Sequence, residues 1–533
     1  MLARILTVIC ISTMGLAQTA TTADNKAPAA ATANAPANAA TDALVSARAL
    51  LDKGKYGEAS AAFKALVEKE PKSPEAQTGL IRSLYRDDQF DEAEAAAKNA
   101  IATLPQSALV QATVGDLAFR LGKFADAETA YRTSLKLDAD SARGLFGMGR
   151  MFEMVSMHKM AKNALAKAHE RAPDDKEIYN RWLETLPYAE QLDAVKKAAG
   201  DHPTEREKRH IAYLAAAVQK KPWSLISPIK PTEIKMEPYG RTEAFVDKGS
   251  RVGMTPISTG YGLQVKFNDR AAAVLLLDTG ADGIIIGRKL GEKAGVVKIA
   301  DSYVGGIGDQ GAVEVYFGWV DKINIGGIEF RNCVVEVSSK TDIADEAGLI
   351  GPDVFEKFLV TLDFKNWKLQ LAPLPRNPNA SADDDEPQDR YIAPEMQSFT
   401  KIWRFGHDLV IPVVVSDKAM GNFILDTGAG MNSVTPKIAQ QITKLSYEGY
   451  SVKGVSGKVK EVLNGDKAIL QFARVRVRSD DIPVFEITNI SNSEGTEISG
   501  FIGIKTLVQM KFTIDYRDGL VNLETYQFKP ARE

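Results

Sequence analysis

Small and apolar residues recur on a 34-residue grid from residue 42 to about 177. Tyr56, Phe90, Phe124 and His158 share one position, and Ala59, Ala93, Ala127 and Ala161 another. Pro71, Pro105 and Pro173 mark a third, where Ala139 fills the missing place, and Gly115 and Gly149 mark a fourth. Small residues let paired helices approach, and a proline ends the second helix of a pair because it cannot continue one. The pattern predicts four helix-turn-helix repeats over 42–177. The second and fourth depart most, with Ala97 and Leu165 where Phe63 and Tyr131 stand. Further helical sequence over 178–221 caps the array.

Beyond Pro222 the period shortens to alternation. Runs such as GLQVKFND (262–269), VEVYFGWVDKINIGG (313–327) and HDLVIPVVVSD (407–417) are β-branched and aromatic, bounded by Gly and Asp, and predict strands and hairpins. GRKLGEKAG (287–295) and TPKIAQQITKL (435–445) read as short helices. The β-rich sequence forms two blocks, 222–372 and 396–533. Between them lies an acidic, proline-bearing linker, 373–395, predicted to be exposed. Residues 18–41 are Ala/Thr/Asn/Pro-rich and lack the large apolar side chains that offset ordering entropy, so they predict a disordered tether.

Charge and cysteine content narrow the function classes. A net charge of −3 leaves no basic footprint for nucleic acid or an anionic membrane. Arg4 precedes the apolar run 5–17, which ends in Gly15-Leu16-Ala17 and is short of a membrane span. This pattern predicts a cleavable signal peptide and a periplasmic or secreted protein. Cleavage after Ala17 would leave Cys333 as the lone cysteine, so no internal disulfide is expected. Cys333 itself is expected to be a buried small apolar residue.

The candidate chemistry sits in LLLDTGA (275–281), where a carboxylate follows a run of apolar residues. Desolvating a lone carboxylate there is costly, so Asp278 needs a partner. The motif recurs as FILDTGA (423–429). Each copy is followed by a Gly-rich hairpin, YVGGIGDQG (303–311) and VKGVSGK (452–458). Each then has GLIG (348–351) or GFIG (500–503), followed by LVTLDF or MKFTIDY. The other motifs fail. GIGDQG (306–311) fits a dinucleotide fingerprint but leads into a strand-like run rather than a helix. The five histidines show no paired metal spacing and read as surface or repeat-packing residues. No metal or organic cofactor is expected.

The 34-residue period resembles the tetratricopeptide repeat. The paired motifs resemble the retropepsin-like aspartic peptidases over about 260–372 and 406–526. Together they imply a multidomain chain: an all-α solenoid, then two all-β lobes that supply one enzyme. By that resemblance Asp278 and Asp426 are a dyad sharing one proton, with a water activated between them for peptide-bond hydrolysis. Thr279 and Thr427 would lock the two loops together. Gly280 and Gly428 would admit backbone N–H groups to the carboxylates. Gly351 and Gly503 would lie beneath them. Asp282 would bind substrate backbone, and its counterpart in the second lobe is Gly430. Gly305, Gly306, Gly308, Gly454 and Gly457 would belong to flaps closing over a protein or peptide substrate. Alanine at 281 and 429, in place of a hydroxyl residue, implies a weakly acidic to neutral optimum. The solenoid is either a spacer or a concave surface for a partner protein, since nothing in the sequence marks a binding side chain. Two other arrangements stay open: a scaffold that cleaves little, and lobes that pair between two molecules.

Overall fold

The structure is a computed structural model. It describes residues 35–246, 252–308, 313–338, 347–380, 386–447, 452–454, 457–459 and 461–526. The predicted signal peptide lies outside them. They divide into two compact units: the chain up to Met151 with Asn163–Tyr179, and Phe152–Lys162 with everything from Asn180 onward.

The first unit is built from helix pairs. Ala35–Asp52 pairs with Tyr56–Lys69, Pro74–Arg86 with Phe90–Thr103, and Ala108–Arg120 with Phe124–Leu137, and Ala142–Met154 is the next first helix. Ser73 and Ser107, one period apart, cap successive first helices by accepting the N–H of Ala76 and Val110 at 3.3 Å. The glycines are explained by close approach. A Cβ on Gly115 would lie 2.6 Å from the Tyr131 ring, and one on Gly147 would lie 2.1 Å from it. Tyr131 is fully buried between those two helices. Helix Ala35–Asp52 begins inside the predicted tether, because an alanine-rich segment costs little to hold helical.

The second unit includes the helices Tyr188–Ala199 and Glu205–Lys220, which precede its β lobes in sequence. A nine-stranded sheet forms most of the first β lobe and an eight-stranded sheet most of the second. A six-stranded sheet takes strands from both. In it Phe358–Asp363 pairs antiparallel with Met510–Asp515, and the hydroxyls of Thr361 and Thr513 meet at 3.0 Å. The two motif-bearing blocks are thereby joined through equivalent strands, and one apolar cluster runs through both from Trp223 to Val521. Among the described residues no helix is long and apolar enough to cross a membrane.

Two local expectations are corrected. The helix read over 435–445 stops at Ile442, and Leu445 already begins a short strand against Gly465. The linker is not simply exposed. Arg390 Nε donates to Asp518 O at 2.6 Å, Tyr391 N donates to Asp518 Oδ1 at 2.8 Å, and Ala393 and Met396 pack on Leu520. Composition hid this because the segment's polar residues find carbonyl and carboxylate partners in the lobe. Cys333 is fully buried, which pushes its thiol well above the usual range.

Candidate active site

Strands Ala271–Leu277 and Ala419–Asp426 carry apolar side chains into the core and end at the two DTG loops. Each strand runs parallel to the later Gly-containing strand of its own lobe. Leu277 is paired with Ile350, and Asp426 with Gly503. Asp278 N donates to Ile350 O at 3.0 Å, which fixes where the first loop leaves the sheet. The glycine positions follow from the same crowding. A Cβ on Gly351 would stand 2.2 Å from Ala281 O, and one on Gly503 would stand 2.5 Å from Met431 O.

The two loops face each other and are held by four reciprocal hydrogen bonds. Thr279 Oγ1 donates to Leu425 O at 2.6 Å and accepts Thr427 N–H at 3.0 Å. Thr427 Oγ1 donates to Leu277 O at 2.8 Å and accepts Thr279 N–H at 2.9 Å. Both threonines are almost completely buried. Asp278 and Asp426 are thereby hydrogen-bonded to each other, although 148 residues separate the two loops in sequence. Gly428 N donates to both carboxylates, at 2.7 Å to Asp426 Oδ1 and 3.1 Å to Asp278 Oδ1. Gly280 N adds a bond to Asp278 Oδ1 at 2.9 Å, and Ala429 N one to Asp426 Oδ1 at 3.0 Å.

Burial first, and then the charge and hydrogen bond of Asp278, hold the Asp426 carboxyl well above the usual range despite the opposing backbone N–H groups. Beside Asp278, the Asp426 carboxyl is thus biased toward its neutral, protonated form. Each aspartate thus meets the partner carboxyl and the backbone N–H donors that an isolated DTGA segment lacks.

The lobes are not equivalent around this pair. Asp282 is hydrogen-bonded to the buried Asp353, whose carboxylate also accepts Gly283 N–H at 3.2 Å. Asp282 thus has a partner within its own lobe. Its counterpart Gly430 has open space around it. The predicted flap glycines occupy hairpin ends. Gly305, Gly306 and Gly308 follow strand Val297–Val304, and Gly454 and Gly457 close the ladder between Val452–Gly454 and Gly457–Val459. They take no part in the hydrogen bonds that hold the dyad. Residues 309–312 of the first hairpin lie outside the described residues.

The site includes residues that the motifs did not mark. His407, read as an ordinary surface histidine, has Nε2 at 3.0 Å from Gly280 O and 3.4 Å from Asp408 Oδ1. A carbonyl oxygen only accepts, so Nε2 carries the hydrogen and ties the second lobe to the first lobe's loop. The 148-residue offset between the motifs places His407 and Asp408 where the first lobe has Thr259 and Gly260. That one-sided difference was the available signal.

Several carboxyls crowd this side. Burial, then the charges of Asp278 and Asp282, push Asp408 well above the usual range, and burial with Asp282 does the same to Asp353. Burial first also pushes Glu336 and Glu494 up to about 8. These groups hold protons in the folded chain that the unfolded chain has released. Stability is therefore full below the unfolded carboxylate pKa of about 4.3 and declines as pH rises through about 8. Thermal melts at constant ionic strength are expected to give a lower Tm at about pH 8 than at about pH 5. An equal or higher Tm at the upper pH contradicts the assignment.

Residues 263–354 match the aspartyl protease family model, a stretch that contains Asp278 and Gly351. Residues 50–117 and 115–177 match two tetratricopeptide repeat models. No curated protein matches. Solved structures similar to the chain include TTC0263, a thermophilic TPR protein in Thermus thermophilus. It is 18% identical over 34% of this chain and 99% of that one, with a TM-score of 0.28. The Cut9-Hcn1 APC/C hetero-tetramer is 17% identical over 34% of this chain and 36% of that one, with a TM-score of 0.28. Pseudomonas aeruginosa pilF is 15% identical over 34% and 86%, with a TM-score of 0.27. By the family models, the chain is similar to tetratricopeptide repeats over 50–177 and to an aspartyl protease domain over 263–354, and the latter stretch holds the first of the two facing aspartates.

Proposed function

We propose that this chain is an aspartic endopeptidase whose single site is closed by its own two lobes. The observation that carries the reading is the pair Asp278–Asp426, hydrogen-bonded together and bridged by one backbone N–H from Gly428. A pair sharing one proton has a carboxylate to take a proton from water and a carboxylic acid to give one to the substrate carbonyl oxygen. Attack then forms a tetrahedral diol, and the proton taken from water passes to the leaving amine. The threonine bonds and glycine amides keep the carboxyl groups in place, so little reorganisation accompanies the reaction. The reading also carries export to the periplasm or outside the cell, supported by the apolar run 5–17 behind Arg4.

The test is cleavage of an unfolded protein by the purified chain, with and without pepstatin, from about pH 3 to about pH 8. Cleavage that pepstatin blocks is expected. Silence across that range favours a repeat-based scaffold instead. The pH dependence supplies a second check. Ala429 gives the dyad only its backbone N–H. A hydroxyl in Ala429→Ser adds a donor to the Asp426 carboxylate, the member held protonated, and so lowers the pair's upper ionisation. The basic limb of the kcat/KM profile is expected to move down by about one pH unit. A limb that stays or moves up contradicts this.

A further inference from the structure

The repeats carry charges that the aspartate dyad does not use. The 34-residue period places Arg82, Asp116 and Arg150 at one repeat position, and Arg143 one period before Glu177. Helix Lys176–Glu184 begins where the first helix of a fifth repeat would begin. From its first turn Glu177 reaches back to Arg143 at 2.8 Å, Arg86 at 3.1 Å and Arg82 at 3.5 Å. These pairs span 34, 91 and 95 residues of sequence. In a stack where each repeat packs only on its neighbours, side chains from non-adjacent first helices meet on the inner, concave side.

The balance of charge on that side is positive. Asp116 is already committed to the Tyr131 hydroxyl at 2.9 Å, Arg143 Nε at 2.5 Å and Arg150 at 3.8 Å. Four guanidinium groups thus share two carboxylates, Asp116 and Glu177, in a chain whose net charge is −3. The side chain of Arg143 is 6% exposed, and its Nη2 has no hydrogen-bond partner among the described residues. Such a buried donor costs free energy until an acceptor arrives. Arg150 stacks on Phe119 at 3.8 Å and Arg143 on Phe146 at 4.9 Å, which pre-orients both planes for a carboxylate. Burial would raise the Glu177 carboxyl, but Arg143, Arg86, Arg82 and Arg150 outweigh it and hold it well below the usual range. Glu177 is therefore a permanent anion. Its pairs with Arg82 and Arg86 are open to water, at 30% and 41% exposure of the arginines, so a competing carboxylate can replace it there.

We propose that this arginine-lined inner face binds the acidic side chains of an extended partner peptide, and that Glu177 fills it as an internal stand-in until the partner arrives. The proposal rests on reading the repeats as a protein-binding surface, and it commits to Asp or Glu side chains because the stand-in is itself one.

The test uses the full chain carrying Asp278→Asn and Asp426→Asn, so that the probe is bound and not cleaved. The probe is a fluorescent, C-terminally amidated peptide rich in Glu, with its Gln counterpart as control. Glu177→Gln is expected to tighten binding of the acidic peptide by about tenfold, with little binding of the Gln peptide and weakening by salt. Adding Arg82→Gln and Arg86→Gln to Glu177→Gln is expected to abolish it, with circular dichroism checking that the helices persist. Three results overturn the proposal: no binding by either Glu177 form, binding indifferent to the two arginines, or equal competition by a phosphate-backbone oligonucleotide. A chain that cleaves but fails here loses only this inference, and one that binds here but never cleaves loses only the peptidase reading.

Discussion

Replacing either Asp278 or Asp426 with asparagine is expected to lower peptide-bond cleavage by at least about a thousandfold, or about 4 kcal/mol of transition-state stabilisation. The amide can neither take a proton from water nor share one with its neighbour, so each substitution removes both roles of the pair at once. Stability is expected to move the other way. Burial already disfavours the ionised form of Asp426, and the charge of Asp278 disfavours it further. A neutral amide there relieves the repulsion, so Asp426→Asn keeps or raises Tm at neutral pH. Cleavage rate and melting temperature measured on the same preparations check both halves. Substantial activity in either variant, or a large fall in Tm for Asp426→Asn, contradicts the assignment.

The second large effect is expected from a single methyl group. In Gly428→Ala the added Cβ would stand 2.3 Å from Asp278 Oδ2, far inside contact distance. That carboxylate is held by the N–H groups of Gly280 and Gly428 and by Asp426. It must therefore leave its hydrogen bonds rather than rotate freely. A displacement on the order of 1 Å in a reacting group costs about a hundredfold in rate, so kcat is expected to fall by about that factor. The matched change is milder. A Cβ on Gly280 has its nearest approach to Asp426 at 3.0 Å, which calls for a shift of tenths of an ångström, and about a tenfold loss is expected. Gly430→Ala meets nothing within 4 Å and serves as the control. Equal losses at 280 and 428 would show that the dyad does not have this asymmetric geometry.

What the sequence revealed and what it hid follow from how far apart the cooperating residues lie. Each DTGA segment writes its aspartate, threonine and glycine contiguously, because one tight loop must supply carboxylate, hydroxyl and N–H together. The repeat period was readable for the same reason: Gly115 meets Tyr131 within one repeat, and one period on Gly149 meets Leu165 in the same way. His407 and Asp408 were marked only by their mismatch with Thr259 and Gly260, since their meaning depends on the other lobe's loop at Gly280. Glu494 and Glu336 enter the same electrostatic neighbourhood from separate segments, where each reads as an ordinary charged residue. On the repeats, Arg82, Asp116 and Arg150 fall on one grid position with mixed charge, so no side chain stood out. The ion pairs of Glu177 became visible only when the first helices were stacked.

One assay tests the claim that both aspartates of a single chain close one hydrolytic site. Cleavage of an unfolded protein is followed for the wild-type chain, for Asp278→Asn, for Asp426→Asn, and for an equimolar mixture of the two variants. The intramolecular site formed through Thr279 and Thr427 predicts activity in the wild type alone, with the mixture as silent as its components. Activity regained on mixing, or about half the wild-type rate in each single variant, would contradict it and show that the lobes work in some other pairing.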